Sequence, residues 1–281
     1  MFPTLVSFGD LHIQSHGALL LLGFMLALWH ATVLARREYQ VDAEVSIAPH
    51  HLRNAAWTAL FWALMGAKLL YIPLHYHALM LSPRPLQHLM DGGFNFFGAA
   101  LGASLFLWSY CRHHRLSLAR FADLCAPGFA LAYTFARIGC FLAGCCYGSA
   151  CDLPWATRFP AHGHPGEMMT PCHPTQLYAA GANLLLFLLL DRWSRHRHPD
   201  GSIALRLIAL YCLYRFVNDY FRVGASAELL AWGLTGAQLL CLALLPIVFF
   251  LERHKSIPAS KNKDVAMPLS RPCGIQKEPA Q

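Results

Sequence analysis

The sequence has few charged residues: Asp, Glu, Lys and Arg make up 13% of its 281 residues, against about a quarter in a soluble globular protein. Hydrophobic residues make up 56% of the chain, above the roughly 45–50% that is usual in soluble domains. This composition excludes an intrinsically disordered chain, a collagen-like protein and a small disulfide scaffold. It indicates an all-α polytopic membrane protein.

The sequence also lacks the patterns of two other classes. No Cys-x-x-Cys pair is present, which argues against a zinc ribbon and against a thioredoxin-like redox motif. No basic segment precedes the first apolar run, and no Ala-x-Ala site follows a short one. We therefore expect no cleavable signal peptide.

Seven apolar runs are long enough to cross a hydrocarbon core of roughly 30 Å. They cover residues 16–35, 55–74, 94–111, 121–137, 175–190, 203–221 and 229–251. Of the 22 Lys and Arg residues, 16 lie in or beside the loops that follow the first, third, fifth and seventh runs. Positive charge marks cytoplasmic loops, so we expect a periplasmic N-terminus and a cytoplasmic C-terminus. These loops also account for most of the net charge of +7 without a nucleic-acid partner.

The domain organisation follows from these spans. We expect one transmembrane domain over residues 1–254, with a periplasmic segment at residues 138–174. Residues 255–281 combine several prolines with polar side chains. Such a composition is typical of a flexible tail, here a cytoplasmic one.

Charged side chains inside apolar spans indicate a functional site, because they are costly in lipid. Arg137 ends the fourth span, and Arg215 and Asp219 lie within the sixth. Helical spacing places Tyr211, Arg215 and Asp219 on one face, with Arg222 further along it. Two interpretations remain open. Asp219 neutralises Arg215 to fix helix packing, or Arg137 and Arg215 meet at a bound anion such as lipid phosphate.

The expected periplasmic segment is rich in cysteine and glycine. Its cysteines are Cys140, Cys145, Cys146, Cys151 and Cys172. An oxidising compartment allows one or two disulfides among them, although the pairing does not follow from the sequence. Gly139, Gly144 and Gly148 indicate that this stretch is not a plain helix. Gly98 and Gly102, in contrast, indicate close helix packing.

A second motif, CHPTQLY at residues 172–178, begins the fifth span. Proline suits the first turn of a helix. His173 is either a proton acceptor, since histidine titrates near neutral pH, or a hydrogen-bonding residue at the helix start.

These motifs resemble the prolipoprotein diacylglyceryl transferase family over residues 12–252. The strongest blocks are ARIGCFLAGCCYG (residues 136–148) and HPTQLY (residues 173–178), and six weaker blocks follow the family order. The resemblance implies a multi-pass enzyme of the bacterial inner membrane. Such an enzyme transfers the diacylglyceryl group of phosphatidylglycerol to the lipobox cysteine thiol of preprolipoproteins and releases glycerol 1-phosphate. It implies no metal and no other cofactor.

The resemblance also implies site residues. Arg137 matches the arginine that binds phosphatidylglycerol, Arg215 matches a second essential arginine, and Tyr211 matches a tyrosine on the same helix. The implied catalytic residues are Arg137, Arg215, Tyr211 and Asp219. The implied phosphatidylglycerol-binding residues are Arg137, Arg215, Gly148 and Cys140. Fixed positive charge suits this reaction, because the leaving group is a phosphate monoester.

Several positions depart from the family pattern. The family has asparagine at Cys140, glutamate at Asp219 and, at Phe97, a histidine that is often taken as the base. Because Phe97 cannot accept a proton, we expect His173 or His16 to do so. His16 itself stands where the family has tyrosine. Two further departures are Lys68 and Ser149, where the family has arginine.

Two other functions remain open at this point. The outer cysteines Cys140, Cys145, Cys146 and Cys151 could serve a membrane thiol–disulfide redox protein, although the buried arginines would then have no task. The departure at Phe97 could instead mark a non-catalytic phospholipid-binding paralogue. The transferase hypothesis predicts phosphatidylglycerol, lipobox peptides and the bilayer as partners, and no nucleic acid.

Overall fold

The computed structural model describes residues 4–8, 11–42, 46–81, 95–160, 168–196, 198–222 and 233–254. Two strands open the chain: β1 (Thr4–Phe8) and β2 (Leu11–Gln14). They pair as an antiparallel hairpin. Eight helices follow in the described ranges: α1 (Ser15–Val41), α2 (Pro49–Leu74), α3 (Tyr76–Leu81), α4 (Phe96–His113), α5 (Leu118–Ala143), α6 (Thr175–Ser194), α7 (Ser202–Asp219) and α8 (Gly236–Arg253).

The seven long helices coincide with the seven predicted apolar runs, and their ends differ. Helix α5 continues past the predicted end at Arg137 to Ala143, and it ends where Gly144 takes up a left-handed conformation at φ 73°. The prediction of irregular backbone was therefore wrong for Gly139 and Cys140. The hairpin and the short α3 were not predicted. Residues 229–232 of the seventh run and the predicted tail at 255–281 lie outside the described residues.

The end of α7 also differs from the prediction. The helix stops at Asp219, and tight turns follow, in which the amide of Arg222 donates to the Asp219 carbonyl at 3.2 Å. Arg222 then forms an isolated antiparallel bridge with Gly148. The regular helical face predicted through Arg222 therefore ends at Asp219, and Arg222 joins the loop that follows α5.

Within the described ranges, four helices are long and apolar enough to cross a membrane: α1, α2, α5 and α8. Many of the large apolar side chains on the helices are exposed, among them Trp29, Phe97, Leu105, Phe249 and Phe250. Soluble monomers rarely expose large contiguous apolar surfaces. The exposed side chains therefore fit a surface that faces lipid.

Helix α5 is the central helix, since it packs against α1, α4, α6 and α7. Its approach to α1 depends on Gly128, where a Cβ would lie 2.8 Å from the Ala27 carbonyl oxygen. On another side it contributes to a buried cluster made of Ala126, Ala130, Leu186, Leu190 and Ile203. This packing fixes the position of Arg137 near the end of α5.

Polar contacts join the helix ends at the opposite end of α5. Arg120 forms an ion pair with Glu38, near the end of α1, at 3.1 Å. The buried carboxylate of Asp123 accepts hydrogen bonds from the amides of Gly201 at 2.5 Å and Ala204 at 2.8 Å. Asp123 therefore caps the start of α7, where helical amides have no partner within the helix.

Helices α2 and α4 approach each other through glycines. A Cβ at Gly98 would lie 2.2 Å from the Gly66 carbonyl oxygen, and one at Gly102 would lie 2.3 Å from the Trp62 carbonyl oxygen. The interpretation of Gly98 and Gly102 as close-packing residues is therefore confirmed.

We expect Gly98→Ala to lower the free energy of unfolding by about 1–3 kcal/mol, because the new methyl group forces α2 and α4 apart. Gly181→Ala on α6 is the matched control, since nothing lies within 4 Å of a Cβ there. The control should be neutral or slightly stabilising, because alanine favours helix. Thermal unfolding in detergent measures both variants. Equal unfolding midpoints would contradict the proposed role of Gly98.

Candidate active site

Arg137 and Arg215 lie on two helices in contact, α5 and α7, and meet there at a group of tyrosines. The Arg137 guanidinium donates to the Tyr133 hydroxyl and lies 4.6 Å from the centre of its ring. The Tyr133 hydroxyl is 3.3 Å from the Tyr211 hydroxyl. Both arginines lie within electrostatic range of Tyr211. The structure thus brings together three of the predicted catalytic residues.

Asp219 holds Arg215 in place. Arg215 Nη2 lies 2.9 Å from Asp219 Oδ1, and both side chains are largely buried. The Thr235 hydroxyl, at the N-cap of α8, donates to the other carboxylate oxygen. The predicted ion pair is therefore present, and it is linked to a third helix.

Arg222 is the third arginine of the site. Together with Arg137 and Arg215 it lies within electrostatic range of Tyr214. We call these three residues the arginine cluster. Among the described residues, no carboxylate pairs with Arg137 or Arg222, whereas Arg215 pairs with Asp219. The site therefore has three guanidinium groups and one paired carboxylate among the described residues. This excess of positive charge suits the binding of an anion.

The loop after α5 is held by the first turn of α6. Gln176 Nε2 donates to the Cys145 carbonyl at 2.7 Å, and the Thr175 hydroxyl donates to the Cys146 carbonyl at 2.9 Å. Both side chains are buried. The Thr-Gln pair of the HPTQLY motif therefore anchors the cysteine-rich loop.

Gly148 lies where this loop meets the end of α7 and the start of α6. A Cβ there would lie 2.2 Å from the Phe221 carbonyl oxygen and 2.8 Å from the His173 Cβ, so the space admits only glycine. Its amide donates to the His173 carbonyl at 2.9 Å. The His173 side chain lies beside it, with Nδ1 3.3 Å from the Tyr178 hydroxyl.

Three thiols come together in the same region. The Sγ atoms of Cys140, Cys145 and Cys146 all lie within 4.8 Å of one another, and we call them the thiol cluster. His16 Nδ1, at the start of α1, is 3.9 Å from Cys140 Sγ. All cysteines in the described ranges are free thiols, including Cys151 and Cys172. The disulfides that an oxidising compartment would allow are therefore not formed in the described part of the chain.

Cys146 lies beyond the end of α5 and is the exposed member of the thiol cluster. Its pKa is lowered, because hydrogen bonds from the thiols of Cys140 and Cys145 stabilise its thiolate. The positive charges of Arg137 and Arg222 act in the same direction. Thiolate character increases both nucleophilicity and metal affinity.

Two positions that depart from the family pattern lie on other helices. Phe97 is 74% exposed at the start of α4. The Lys68 ammonium lies 6.0 Å from the ring centre of Tyr71 on its own helix.

The sequence analysis missed several residues that support the site. Tyr133 precedes Arg137 by four positions, so helical spacing carried a usable signal for it. Thr175 and Gln176 lay in a recognised motif, but no role was assigned to them. Thr235 and Gln238 have the spacing of a capping box, which indicates the start of α8. No sequence spacing indicates the contact of Thr235 with Asp219, because it joins two helices.

The family model for prolipoprotein diacylglyceryl transferase matches residues 3–252 of the chain. This chain belongs to that family. A Methylococcus capsulatus protein named phosphatidylglycerol–prolipoprotein diacylglyceryl transferase is 31% identical over 252 residues, which cover 88% of this chain and 92% of the relative. A protein of the same name from Geobacter sulfurreducens is 30% identical over 264 residues, covering 93% and 96%. The Clostridium tetani protein of that name is 31% identical over 229 residues, covering 79% and 86%.

The transferase family match contains every element of the site, from His16 to Thr235. The suspected family is therefore confirmed.

We expect Gln176→Leu to open the cysteine-rich loop, because the Cys145 carbonyl loses its donor. A buried group left unpaired costs about 1–3 kcal/mol, so labelling of the partly buried Cys145 thiol by a maleimide should accelerate about tenfold or more. Mass spectrometry of the labelled peptide gives the rate. Asn183→Leu is the matched control, because that buried amide donates within α6 to Ala179. Equal labelling rates in the two variants would show that Gln176 does not hold the loop.

Proposed function

We propose that this chain transfers the diacylglyceryl group of phosphatidylglycerol to the lipobox cysteine thiol of a preprolipoprotein and releases glycerol 1-phosphate. Membership of the family over residues 3–252 carries this assignment. The relatives that cover most of the chain are named for the same reaction. The positive arginine cluster supports it, because both the substrate and the leaving group are phosphate esters.

The lipid phosphate is proposed to lie between Arg137 and Arg215. The acceptor sulfur attacks the glyceryl carbon, the carbon–oxygen bond to phosphate breaks, and the phosphate oxygen leaves with the electron pair. Negative charge therefore develops on the leaving phosphate, where fixed guanidinium groups stabilise it. Arg137 is oriented by Tyr133, and Arg215 is oriented by Asp219.

Tyr211, Gly148 and Cys140 have supporting roles in this proposal. The Tyr211 hydroxyl lies next to that of Tyr133 and is available to donate to a phosphate oxygen. Gly148 keeps the loop close to Phe221 and so leaves room for the lipid. Cys140 lies one helical turn after Arg137, and its assignment as a phosphatidylglycerol contact stays a prediction.

The acceptor thiol must lose a proton, and we assign that proton to His173. The His173 Nδ1 lies 3.3 Å from the Tyr178 hydroxyl, and this contact leaves Nε2 to accept the proton of the substrate thiol. His173 also lies against Gly148, beside the arginine cluster. His16 is the alternative acceptor, and its nitrogen instead lies next to Cys140.

The proposed setting is the bacterial inner membrane, with residues 1–254 as one transmembrane domain. All seven long helices are proposed to span it, which extends the four that are apolar enough on their own. The ion-paired end, where Arg120 meets Glu38, then faces the cytoplasm. The arginine cluster and the described residues 144–160 and 168–174 then face the periplasmic half, where lipoprotein precursors emerge.

We expect Arg137→Ala and Arg215→Ala each to slow transfer by about 30- to 1000-fold, because each removes a charged contact worth about 2–4 kcal/mol in the transition state. The assay uses purified protein in phosphatidylglycerol micelles with a lipobox peptide, and it follows release of glycerol phosphate. Arg206→Ala is the matched control. That arginine lies on α7 but pairs with Glu252 at the other end of the helix.

The outcomes separate the alternatives. Normal transfer in the two variants would contradict the placement of the phosphate. Lipid binding that depends on Arg137, without any release by the unmodified protein, would favour the non-catalytic paralogue suggested by Phe97. Oxidation and reduction of the outer cysteines without lipid transfer would favour the redox alternative.

We expect His173→Asn to lower kcat by about 10²–10⁴-fold with a smaller change in KM, as removal of a proton acceptor does. The same micelle assay, run over a range of peptide concentrations, separates the two constants. His196→Asn, an exposed histidine beyond the end of α6, is the control. Unchanged kcat in the His173 variant would return the role to His16 or to solvent.

A further inference from the structure

We propose that Cys140, Cys145 and Cys146 bind a thiophilic d¹⁰ cation, Zn²⁺ or Cu⁺, through their three sulfurs, with His16 as the fourth ligand. The three Sγ atoms lie within 4.8 Å of one another. A tetrahedral site with metal–sulfur distances of about 2.3 Å holds its sulfurs about 3.8 Å apart. Small rotations of the side chains therefore close the thiol cluster around one ion.

His16 supplies a nitrogen at the edge of the thiol cluster. Its Nδ1 lies 3.9 Å from Cys140 Sγ, longer than the nitrogen–sulfur separation of about 3.5 Å in a tetrahedral site, and it lies outside the group whose ligand atoms are all within 4.8 Å of one another. Coordination therefore requires the imidazole to move toward the three sulfurs. This approach depends on Gly139, where a Cβ would lie 3.0 Å from Nδ1 and 3.1 Å from the His16 Cα. The glycine before Cys140 therefore lets the first turn of α1 reach the thiols. Three cysteines and one histidine are a common zinc ligand set.

The backbone around the thiol cluster is held in an unusual shape. Cys146 adopts φ 62°, in the left-handed region that residues other than glycine rarely occupy. Thr175 and Gln176 bind the carbonyls of Cys146 and Cys145 from buried positions, and so they keep this turn in place. Strained backbone persists where the surroundings enforce it, and it concentrates at functional sites.

The charge around the cluster suits bound thiolates. Three thiolates with one divalent ion carry a net negative charge, which is costly in an apolar bundle unless it is compensated. Arg137 and Arg222 both lie within electrostatic range of Cys146 and supply that compensation. Binding displaces the thiol protons to solvent. This assignment adds a metal site to the chain, and it does not depend on the transferase reaction.

The test measures metal binding directly on the full chain in detergent, purified with an affinity tag that contains no histidine. The protein is reduced anaerobically, stripped with a chelator and loaded with Zn²⁺, Cu⁺ or Co²⁺ in separate samples. Elemental analysis gives metal per chain, and competition with a chelator gives affinity. Co²⁺ also reports geometry, through a thiolate charge-transfer band and intense visible bands when the site is tetrahedral.

We expect one ion per chain and a tetrahedral cobalt spectrum. Removing a residue that only hydrogen-bonds to a metal ligand costs about 10–100-fold in metal affinity. Cys140→Ser, Cys145→Ser and Cys146→Ser should therefore each lower affinity by more than about 100-fold. His16→Ala should weaken binding and shift the visible bands. Cys151→Ser is the control, because that thiol lies on the same segment outside the thiol cluster, and it should bind like the unmodified protein.

Three results would overturn the proposal. The first is reduced protein that takes up none of the three metals. The second is metal that is retained in all three cluster variants. The third is freshly purified protein with a disulfide between two cysteines of the thiol cluster, if the same protein still binds no metal after the disulfide is reduced. Unchanged affinity and spectrum in His16→Ala would overturn the assignment of the fourth ligand.

Discussion

Arginine keeps its charge when it is buried, so a helical bundle that contains several arginines must give each guanidinium group a polar surrounding. Here that surrounding comes from Tyr133 for Arg137 and from Asp219 for Arg215. Only one carboxylate is available to the three arginines of the cluster within the described residues. In the proposed function, the phosphate ester of the lipid supplies the negative charge that the remaining two guanidinium groups lack within the described residues.

The packing of the bundle serves this arrangement. Helix α5 runs through the centre, with Gly128 against α1 and a small apolar cluster against α6 and α7. That packing brings Arg137 against α7, which carries Arg215. The chain then turns at Gly144, and Gly148 connects the loop with the end of α7. A bulkier residue at Gly148 would push the loop after α5 away from the end of α7. It would thereby move Arg222 away from the other two arginines.

The thiol cluster gives the site a second chemical character. Its cysteines lie beside the arginine cluster, and one of them, Cys140, follows Arg137 by a single helical turn. The proposed anion site and the proposed metal site therefore share structure, since Arg137 lies within electrostatic range of Tyr211 and of Cys146. Thr175 and Gln176 support both as well, because the loop that they anchor carries Cys145 and Cys146 and leads to Gly148.

The sequence by itself determined the helical class, the seven long helices and the polar face of Tyr211, Arg215 and Asp219, because hydrophobic runs and helical spacing are local properties. The motifs that carry the family resemblance could likewise be read directly. Only the tertiary structure decided what meets across helices: Tyr133 with Tyr211, Thr235 with Asp219, and His16 with Cys140. The Cys-x4-Cys-Cys spacing resembles no sequence pattern for a metal site, and neither does the pair of His16 and Cys140. The three sulfurs come together only because α5 ends and the chain reverses its direction. Contacts of this kind depend on how distant segments pack, and no local pattern records that.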